Sequence, residues 1–375
     1  MKIAFDLRRI GNPGIGRYMK CLAEAITTQA PDHEYLLILP PGGEHLVHAP
    51  KAEKLCTRLK YYSFREQFEL PRILSRHKID LLHSPHFLLP LVRPCPAVAT
   101  IHDVIYMACP EDLPSRAGRL YYCSMMNACS RMATRIITDS KHSRNEIVRY
   151  LNADPEKIDV IYPAVDPFFH AESGSPQVAS VRSRLGIDRE YVLCVGIYKL
   201  RKNHAGLLRA FRTMLQSGCK AQLVITGPMA EGAPILHEFA RELGITEHII
   251  FTGFVNDVEL RDLYSAAHLY ACPSFYEGFG FTVLEAMACG APVVCSSETS
   301  LPEVAGNAAL YFDPRNPDEM AGQLLRVFSD KATRASLISQ GRQNLLRFNW
   351  EETARQTLAV YHQAVQSPLP KAAYA

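Results

Sequence analysis

Arg201 and Lys202 stand side by side directly after an apolar run at 191–196 (YVLCVG). Asn203 follows them and suits the N-cap of an apolar-periodic helix starting at 204. Two adjacent cations at a strand's carboxyl end, beside the free N–H groups and positive dipole end of a helix, suit a diphosphate. The Arg acts as a planar fork and the Lys as a point charge. A solvated surface pair is written with the same two letters. The stretch 274–290, SFYEGFGFTVLEAMACG, follows another apolar run, at 268–272. Gly278 and Gly280 let backbone approach a ligand closely. Leu284, Glu285, Ala286, Met287 and Ala288 predict a helix beginning near Thr282, with Gly290 as its stop. Its first N–H groups would aim at the same anion as Arg201 and Lys202. Glu277 lies ahead of the helix, and Glu285 lies eight residues later, about two helical turns. One carboxylate can meet the outer part of a ligand and the other the part beside the helix. Carboxylates accept hydrogen bonds from vicinal hydroxyls, as ribose is often held. A plain glycine turn followed by an early-turn helix acid fits the same segment, and Gly-x-Gly alone does not decide.

The first half carries fewer such residues. Gly14 and Gly16 follow an opening apolar run at 3–7; His102 ends the run at 97–102 and precedes Asp103; His83 and His86 sit in HSPHF after the run at 79–83. A simple turn accounts equally for the glycines, and a lone strand-end histidine is commonly a satisfied structural residue. No Asp-x-Asp occurs, and no His/Cys/carboxylate cluster has metal-ligand spacing. Neither a metal nor another cofactor is expected. A dehydrogenase is excluded, because Gly11, Gly14 and Gly16 do not complete G-x-G-x-x-G.

The elements that must position these residues are legible as apolar runs. They fall at 3–7, 35–39, 79–83, 97–102, 135–139 and 158–162, then at 191–196, 222–227, 249–253, 268–272, 292–295 and 309–312. Runs apolar at consecutive positions fit parallel strands covered on both faces. Segments such as 204–216 show helical spacing between them. Six strands alternating with helices, twice over, predict two doubly wound α/β domains, with 163–189 as the linker because it carries Pro, Gly and Ser and no strand. Ligands of such sheets bind beyond the carboxyl ends of the strands, where the candidate residues stand.

Composition bounds the partners. Lys and Arg number 41 and Asp and Glu 38, a formal charge of +3, which argues against a dedicated nucleic-acid binder. The excess is local. Within 116–149, Arg116, Arg119, Arg131, Arg135, Lys141, Arg144 and Arg149 face only Asp139 and Glu146. The eleven cysteines are scattered without C-x2-C spacing, and Cys194, Cys272 and Cys295 lie in apolar runs, as core thiols of a reducing compartment do. The opening MKIAFDLRRIGN lacks the apolar core of a signal peptide, and no window approaches a membrane span. A cytoplasmic protein is expected, peripheral at the inner membrane face if the basic stretch meets lipid.

The segment EGFGFTVLEAMACG resembles the Glu-x7-Glu motif of retaining glycosyltransferases of family 4, E-G-F-G-x-x-x-x-E-A-M-A-x-G, at every fixed position. Arg201-Lys202-Asn203, 249–257, 268–274 and 298–306 resemble the same family almost continuously, and 11–18, 100–103 and 138–145 extend the likeness into the first half. The resemblance implies an α/β fold of GT-B type, two doubly wound Rossmann-like domains facing across a cleft. It implies an acceptor-side domain at 1–168, a nucleotide-sugar domain at 169–349, and a helix within 350–375 crossing back to the first domain and acting at the hinge. It implies that Glu277 contacts donor-sugar hydroxyls and supports charge at the anomeric carbon, that Glu285 holds the ribose, and that Arg201 and Lys202 neutralise the leaving diphosphate. Backbone amides of Gly278, Phe279, Gly280, Phe281, Thr282 and Val283 would hold sugar and phosphate oxygens, and Phe254 and Val255 would line the base pocket. Gly14 and Gly16 would approach the diphosphate, and His102, with Asp103 beside it, would reach the donor sugar. His83 and His86 remain acceptor-side candidates. The reaction implied is metal-independent hexosyl transfer with retention, the leaving phosphate taking the acceptor's proton. GDP-mannose is the expected donor and a glycan or lipid-linked oligosaccharide the acceptor. A UDP-sugar donor, a glycan phosphorylase, a sugar-nucleotide epimerase and a non-catalytic binder stand as alternatives. The stretch 116–149 is expected either to meet an anionic membrane or lipid-diphosphate, or to be a solvated helical face.

Overall fold

The computed structural model describes every residue except 13, 114, 173–175, 229–231 and 368–375. Its chain forms two compact units. Residues up to Asp166 combine with those from Phe348 onward, and Pro167–Arg347 form the second unit.

The first unit is built on β1 (Lys2–Asp6), β2 (Glu34–Leu39), β3 (Glu53–Cys56), β4 (Leu81–Ser84), β5 (Ala97–Thr100), β6 (Arg135–Thr138) and β7 (Ile158–Val160). They form one parallel sheet in the order β3-β2-β1-β4-β5-β6-β7. Helices α1 (Ile15–Gln29), α2 (Glu66–Arg76), α3 (Ile105–Ala108), α4 (Arg116–Met132) and α5 (Lys141–Leu151) connect them. Consecutive apolar positions are the reason for this layering: Ile3, Ala4 and Phe5, like Leu36, Leu37 and Ile38, are wholly buried, as both faces of the sheet are covered.

The second unit holds β8 (Tyr191–Val195), β9 (Gln222–Thr226), β10 (Ile249–Gly253), β11 (Leu269–Cys272), β12 (Val293–Ser296) and β13 (Ala309–Phe312), parallel in the order β10-β9-β8-β11-β12-β13. Around it lie α6 (Pro176–Leu185), α7 (His204–Gln216), α8 (Ala233–Glu242), α9 (Asp257–Ala266), α10 (Phe281–Ala288), α11 (Leu301–Ala305), α12 (Pro317–Ser329) and α13 (Lys331–Leu345). The last helix, α14 (Trp350–Gln366), belongs to the first unit, where it lies against α1 and strands β4, β5 and β6.

In each sheet the strand order reverses direction once, between β1 and β4 in the first unit and between β8 and β11 in the second. Such a switch point opens a crevice at the carboxyl ends of the two strands.

Three expectations need correction. The first sheet has seven strands rather than six. The extra one, β3, reads EKLC and lies at the sheet edge with its residues partly exposed, so it lacks the continuous apolar run of a central strand. The presumed linker at 163–189 contains α6, which packs on α9 within the second unit through Val178 and Val181; Ser173, Gly174 and Ser175 lie outside the described residues. The basic stretch is not one face. Arg116 and Arg119 open α4 and Lys141 and Arg144 open α5, at the carboxyl edge of the sheet, whereas Arg131, Arg135 and Arg149 stand at the opposite edge. Arg135 is moreover paired with Asp159 at 2.7 Å.

All eleven cysteines are free, and Cys194, Cys272 and Cys295 are buried. Among the described residues no helix is long and apolar enough to cross a membrane.

Candidate active site

The two loops at the second unit's switch point are tied to each other. After β8 the chain makes a tight turn over Leu200–Lys202 and enters α7 through Asn203, whose φ of 52° is left-handed. Asn tolerates that region better than most residues, and here its side chain has three partners. Its Oδ1 accepts from the Gly206 amide at 3.1 Å, and its Nδ2 donates to the carbonyls of Pro273 (3.1 Å) and Pro314 (2.8 Å). The Phe275 amide donates to the Arg201 carbonyl at 2.7 Å. The loop after β8 is thereby fixed to the loop after β11.

Across this seam the charged residues meet. Lys202 Nζ donates to Glu277 Oε1 at 2.6 Å, Ser274 Oγ donates to the same oxygen at 2.6 Å, and Arg201 Nη1 lies 3.9 Å from Oε2. Thr299 Oγ1 accepts from the Glu277 amide, and Ser300 Oγ donates to the carbonyls of Glu277 and Phe279. Glu277 is only 9% exposed. Burial pushes its carboxyl up, but Lys202, Arg201 and the hydrogen bonds from Lys202 and Ser274 outweigh it and hold the group below the ordinary glutamate range. At this site the protein keeps an ionised carboxylate and two cations within reach of one ligand.

Helix α10 starts at Phe281, with Gly280 at its N-cap in a left-handed conformation (φ 101°) and no side chain capping it. The first-turn amides of Phe281 and Thr282 therefore lack side-chain partners of the capping type, as an anion site requires. The Val283 amide bonds to the Gly280 carbonyl at 3.0 Å. Gly290 (φ 82°) stops the helix, its amide returning to the Met287 carbonyl. Glu285 lies in the middle of α10, 4% exposed, and accepts from Tyr264 OH at 3.2 Å. Phe254 and Val255 follow edge strand β10, Phe254 presenting 71% of its surface; it is an open aromatic face rather than a closed pocket wall.

His204, at the first position of α7, escaped sequence reasoning. It is 2% exposed and stacks on Tyr198 at 6.3 Å. Burial, reinforced by Lys202 and Arg201, pushes its pKa down to about 4. It is a neutral ring beneath two cations.

In the first unit, His102 follows β5 and pairs through Nδ1 with Asp139 Oδ2 at 2.6 Å, while Nε2 faces the Pro85 carbonyl at 3.3 Å. Both ring nitrogens face acceptors, so the doubly protonated ring satisfies both. Burial pushes its pKa down, yet Asp139, Asp103 and the Pro85 carbonyl together raise it. Asp139, at the end of β6, was counted in the sequence only as a minor acid of the basic stretch. Asp103 Oδ1 accepts from the Ile105 amide at 2.9 Å, a local turn bond.

Gly14 caps α1 with φ 73°, and a Cβ on Gly16 would stand 2.1 Å from the Ile10 carbonyl oxygen. Close backbone packing thus accounts for Gly16. His83 is corrected as an acceptor candidate: it is wholly buried, bonded to Tyr361 OH (2.5 Å) and Thr100 Oγ1 (3.0 Å), and burial with His102 pushes its pKa down to about 3. His86 lies instead beside Arg9, 2.8 Å away.

Two doubly wound parallel sheets, with a cation–carboxylate seam and a glycine-capped helix at the switch point of the second, define a glycosyltransferase of the GT-B class. The family described as Glycosyl transferases group 1 matches residues 179–344, and Glycosyltransferase Family 4 matches residues 13–168. The chain is 31% identical to the O-antigen chain mannosyltransferase B of Escherichia coli, over 96% of its own length and 99% of that protein's. Among solved structures it is similar to sucrose-phosphate synthase from Thermosynechococcus elongatus (TM-score 0.76, 22% identity, 97% and 98% of the two chains). It is likewise similar to Anabaena HepE in complex with UDP and glucose (TM-score 0.73, 21% identity, 96% and 99%). The chain belongs to glycosyltransferase family 4 and is a hexosyltransferase.

Proposed function

We propose that the chain transfers mannose from GDP-mannose to a glycan or lipid-linked oligosaccharide in polysaccharide synthesis, retaining the anomeric configuration and using no metal ion. The observation that carries this reading is the Lys202–Glu277 pair at the switch point, flanked by Arg201 and the free end of α10. The mannosyltransferase named above supports the choice of sugar.

Departure of a nucleoside diphosphate builds negative charge on its phosphates and positive charge at the anomeric carbon. Arg201, Lys202 and the α10 amides oppose the first, in the manner of an oxyanion site. Glu277, kept ionised, opposes the second and accepts hydrogen bonds from sugar hydroxyls. Glu285 takes the ribose and Phe254 and Val255 flank the base. The first unit takes the acceptor. Attack from the face of the departing diphosphate lets a phosphate oxygen accept the acceptor hydroxyl's proton. The cations at the carboxyl edge, Arg116, Arg119 and Lys141, meet an anionic lipid surface at about 1 kcal/mol each.

Thermal shift with GDP, UDP and their sugars tests the donor, because a ligand that binds the folded state stabilises it by mass action. GDP and GDP-mannose are expected to raise the melting temperature most, and a larger effect of UDP would replace the donor. NMR of the product reads the stereochemistry, and an inverted linkage would reject retention. Co-sedimentation with liposomes with and without anionic lipid tests the surface contact; partitioning indifferent to lipid charge removes it.

A further inference from the structure

The switch point of the first sheet, between β1 and β4, carries its own side-chain cluster. Arg9 follows β1 and His86 follows β4. Arg9 Nη1 lies 2.8 Å from His86 Nε2 and donates to Tyr62 OH at 2.9 Å. The guanidinium also stands 5.7 Å from the ring centres of both Tyr61 and Tyr62. His86 is 4% exposed, and burial, Arg9 and His102 hold its pKa well below the ordinary value. The ring is therefore neutral, and its Nε2 accepts from Arg9. Tyr62 is 46% exposed and packs against the half-exposed Tyr121 at 6.1 Å. Its φ of 62° is left-handed, a conformation a tyrosine adopts only when its surroundings impose it. Strain of this kind concentrates at ligand clamps.

Chemistry narrows the ligand. Arg8 is buried and spent on Asp6 (2.6 Å) and Glu66 (3.1 Å), and burial pushes the Glu66 carboxyl up to about 7. Arg9 faces instead the neutral His86 ring and the Tyr62 hydroxyl. The cluster offers an exposed aromatic ring, a phenol hydroxyl and a fixed fork of N–H donors. Those features suit the apolar face and hydroxyl edge of a sugar ring.

We propose that Arg9 and Tyr62 form the acceptor subsite, with a neutral sugar of the acceptor glycan stacked on Tyr62 and its hydroxyls held by the Arg9 guanidinium, which His86 positions. This rests on the proposed placing of the acceptor in the first unit. Each unit then uses its own switch point: the carboxylate-bearing one for the nucleotide sugar, the aromatic one for the acceptor.

Saturation-transfer NMR with methyl α-D-mannopyranoside on the full chain tests the subsite. Signal at the sugar ring protons is expected with the unaltered protein and with Tyr62→Phe, which keeps the ring. Tyr62→Ala, which loses the stacking face, and Arg9→Lys, which loses the fork, are each expected to weaken it about fivefold. The GDP-induced thermal shift is expected to persist in all four proteins. Equal signal in every variant, or no signal from the unaltered protein while the GDP shift is present, would overturn the subsite. Loss of sugar signal in the variants with no GDP shift in any protein would uphold the subsite and reject the donor assignment alone.

Discussion

Lys202 and Glu277 each hold the other's charge in a site only a tenth exposed, with side-chain exposures of 14% and 11%. Removing one partner of a buried pair strands the other charge, at about 3–5 kcal/mol, whereas removing both costs much less. Lys202→Met and Glu277→Gln are therefore expected to destabilise the second unit singly, and the double variant by less than their sum, in a urea-denaturation cycle. Either single change should also lower kcat by about 100- to 1000-fold, the usual loss when a preorganised electrostatic group is removed. The two pH limits follow from opposite shifts. Glu277 is depressed, so its stabilisation is present above the ordinary carboxylate value of about 4.3 and is lost as pH falls through the depressed value. His102 is raised, so its stabilisation is full below about 6.5 and is lost as pH rises through the raised value. Glu277→Gln should make the acid limb of the urea midpoint against pH shallower, by removing the Glu277 share of it. Asp139→Asn should move the His102 NMR titration to lower pH, Asp103 and Tyr18 still facing the ring; an unmoved titration would remove Asp139 from that role.

At the scale of elements, glycine positions separate fold from function. A Cβ on Gly16 meets the Ile10 carbonyl at 2.1 Å, and backbone cannot yield cheaply. Gly16→Ala should thus cost about 1–3 kcal/mol, read as a lower melting temperature for the first unit with GDP affinity of the second unchanged. Gly280→Ala forces a left-handed alanine at the start of α10, about 1–2 kcal/mol, and presses on Leu301 Cδ2 at 2.9 Å. Because that turn aims the amides, GDP affinity should fall by more than the stability change implies. These contrasts also explain what could be read from sequence. The central strands were legible because both faces are buried and each position is apolar. Edge strand β3 (EKLC) was not, since a solvated edge tolerates charge. Glu277, Arg201 and Lys202 were legible as types beside strand ends, but their pairing joins residues 75 apart and needs the β8–β11 adjacency. The same applies to His102 with Asp139 and Arg9 with His86. Place and partners, not burial, separate His83, inside β4 and bonded to Tyr361 and Thr100, from His86, three positions on beyond the strand and beside Arg9.

For the whole molecule, chain path decides which part depends on which. The second unit is one continuous stretch, Pro167–Arg347, inserted into a first unit that is completed only when α14 returns. Both crossings are tied within the first unit: Trp350 Nε1 donates to the Val165 carbonyl at 3.0 Å, and Thr353 Oγ1 to the Tyr162 carbonyl at 2.7 Å. Beyond them Ala354, Tyr361 and Ala364 are wholly buried, and Tyr361 OH closes the chain of bonds through His83 to Thr100 and Tyr18. Tyr361→Phe leaves His83 Nδ1 buried without its partner, a loss of about 1–3 kcal/mol that should appear only in the first unit's unfolding. Ending the chain after Arg347 goes further, uncovering the α1 face and strands β4, β5 and β6 that α14 covers. Among the described residues, the second unit's buried cluster runs from Val192 to Leu337 and includes no residue of α14. The truncated chain is therefore expected to lose the first unit's calorimetric transition and all glycosyl transfer, while GDP still raises the melting temperature of what remains. Simultaneous loss of GDP stabilisation would show that the nucleotide site depends on the first unit, and would reject a second unit that folds and binds nucleotide by itself.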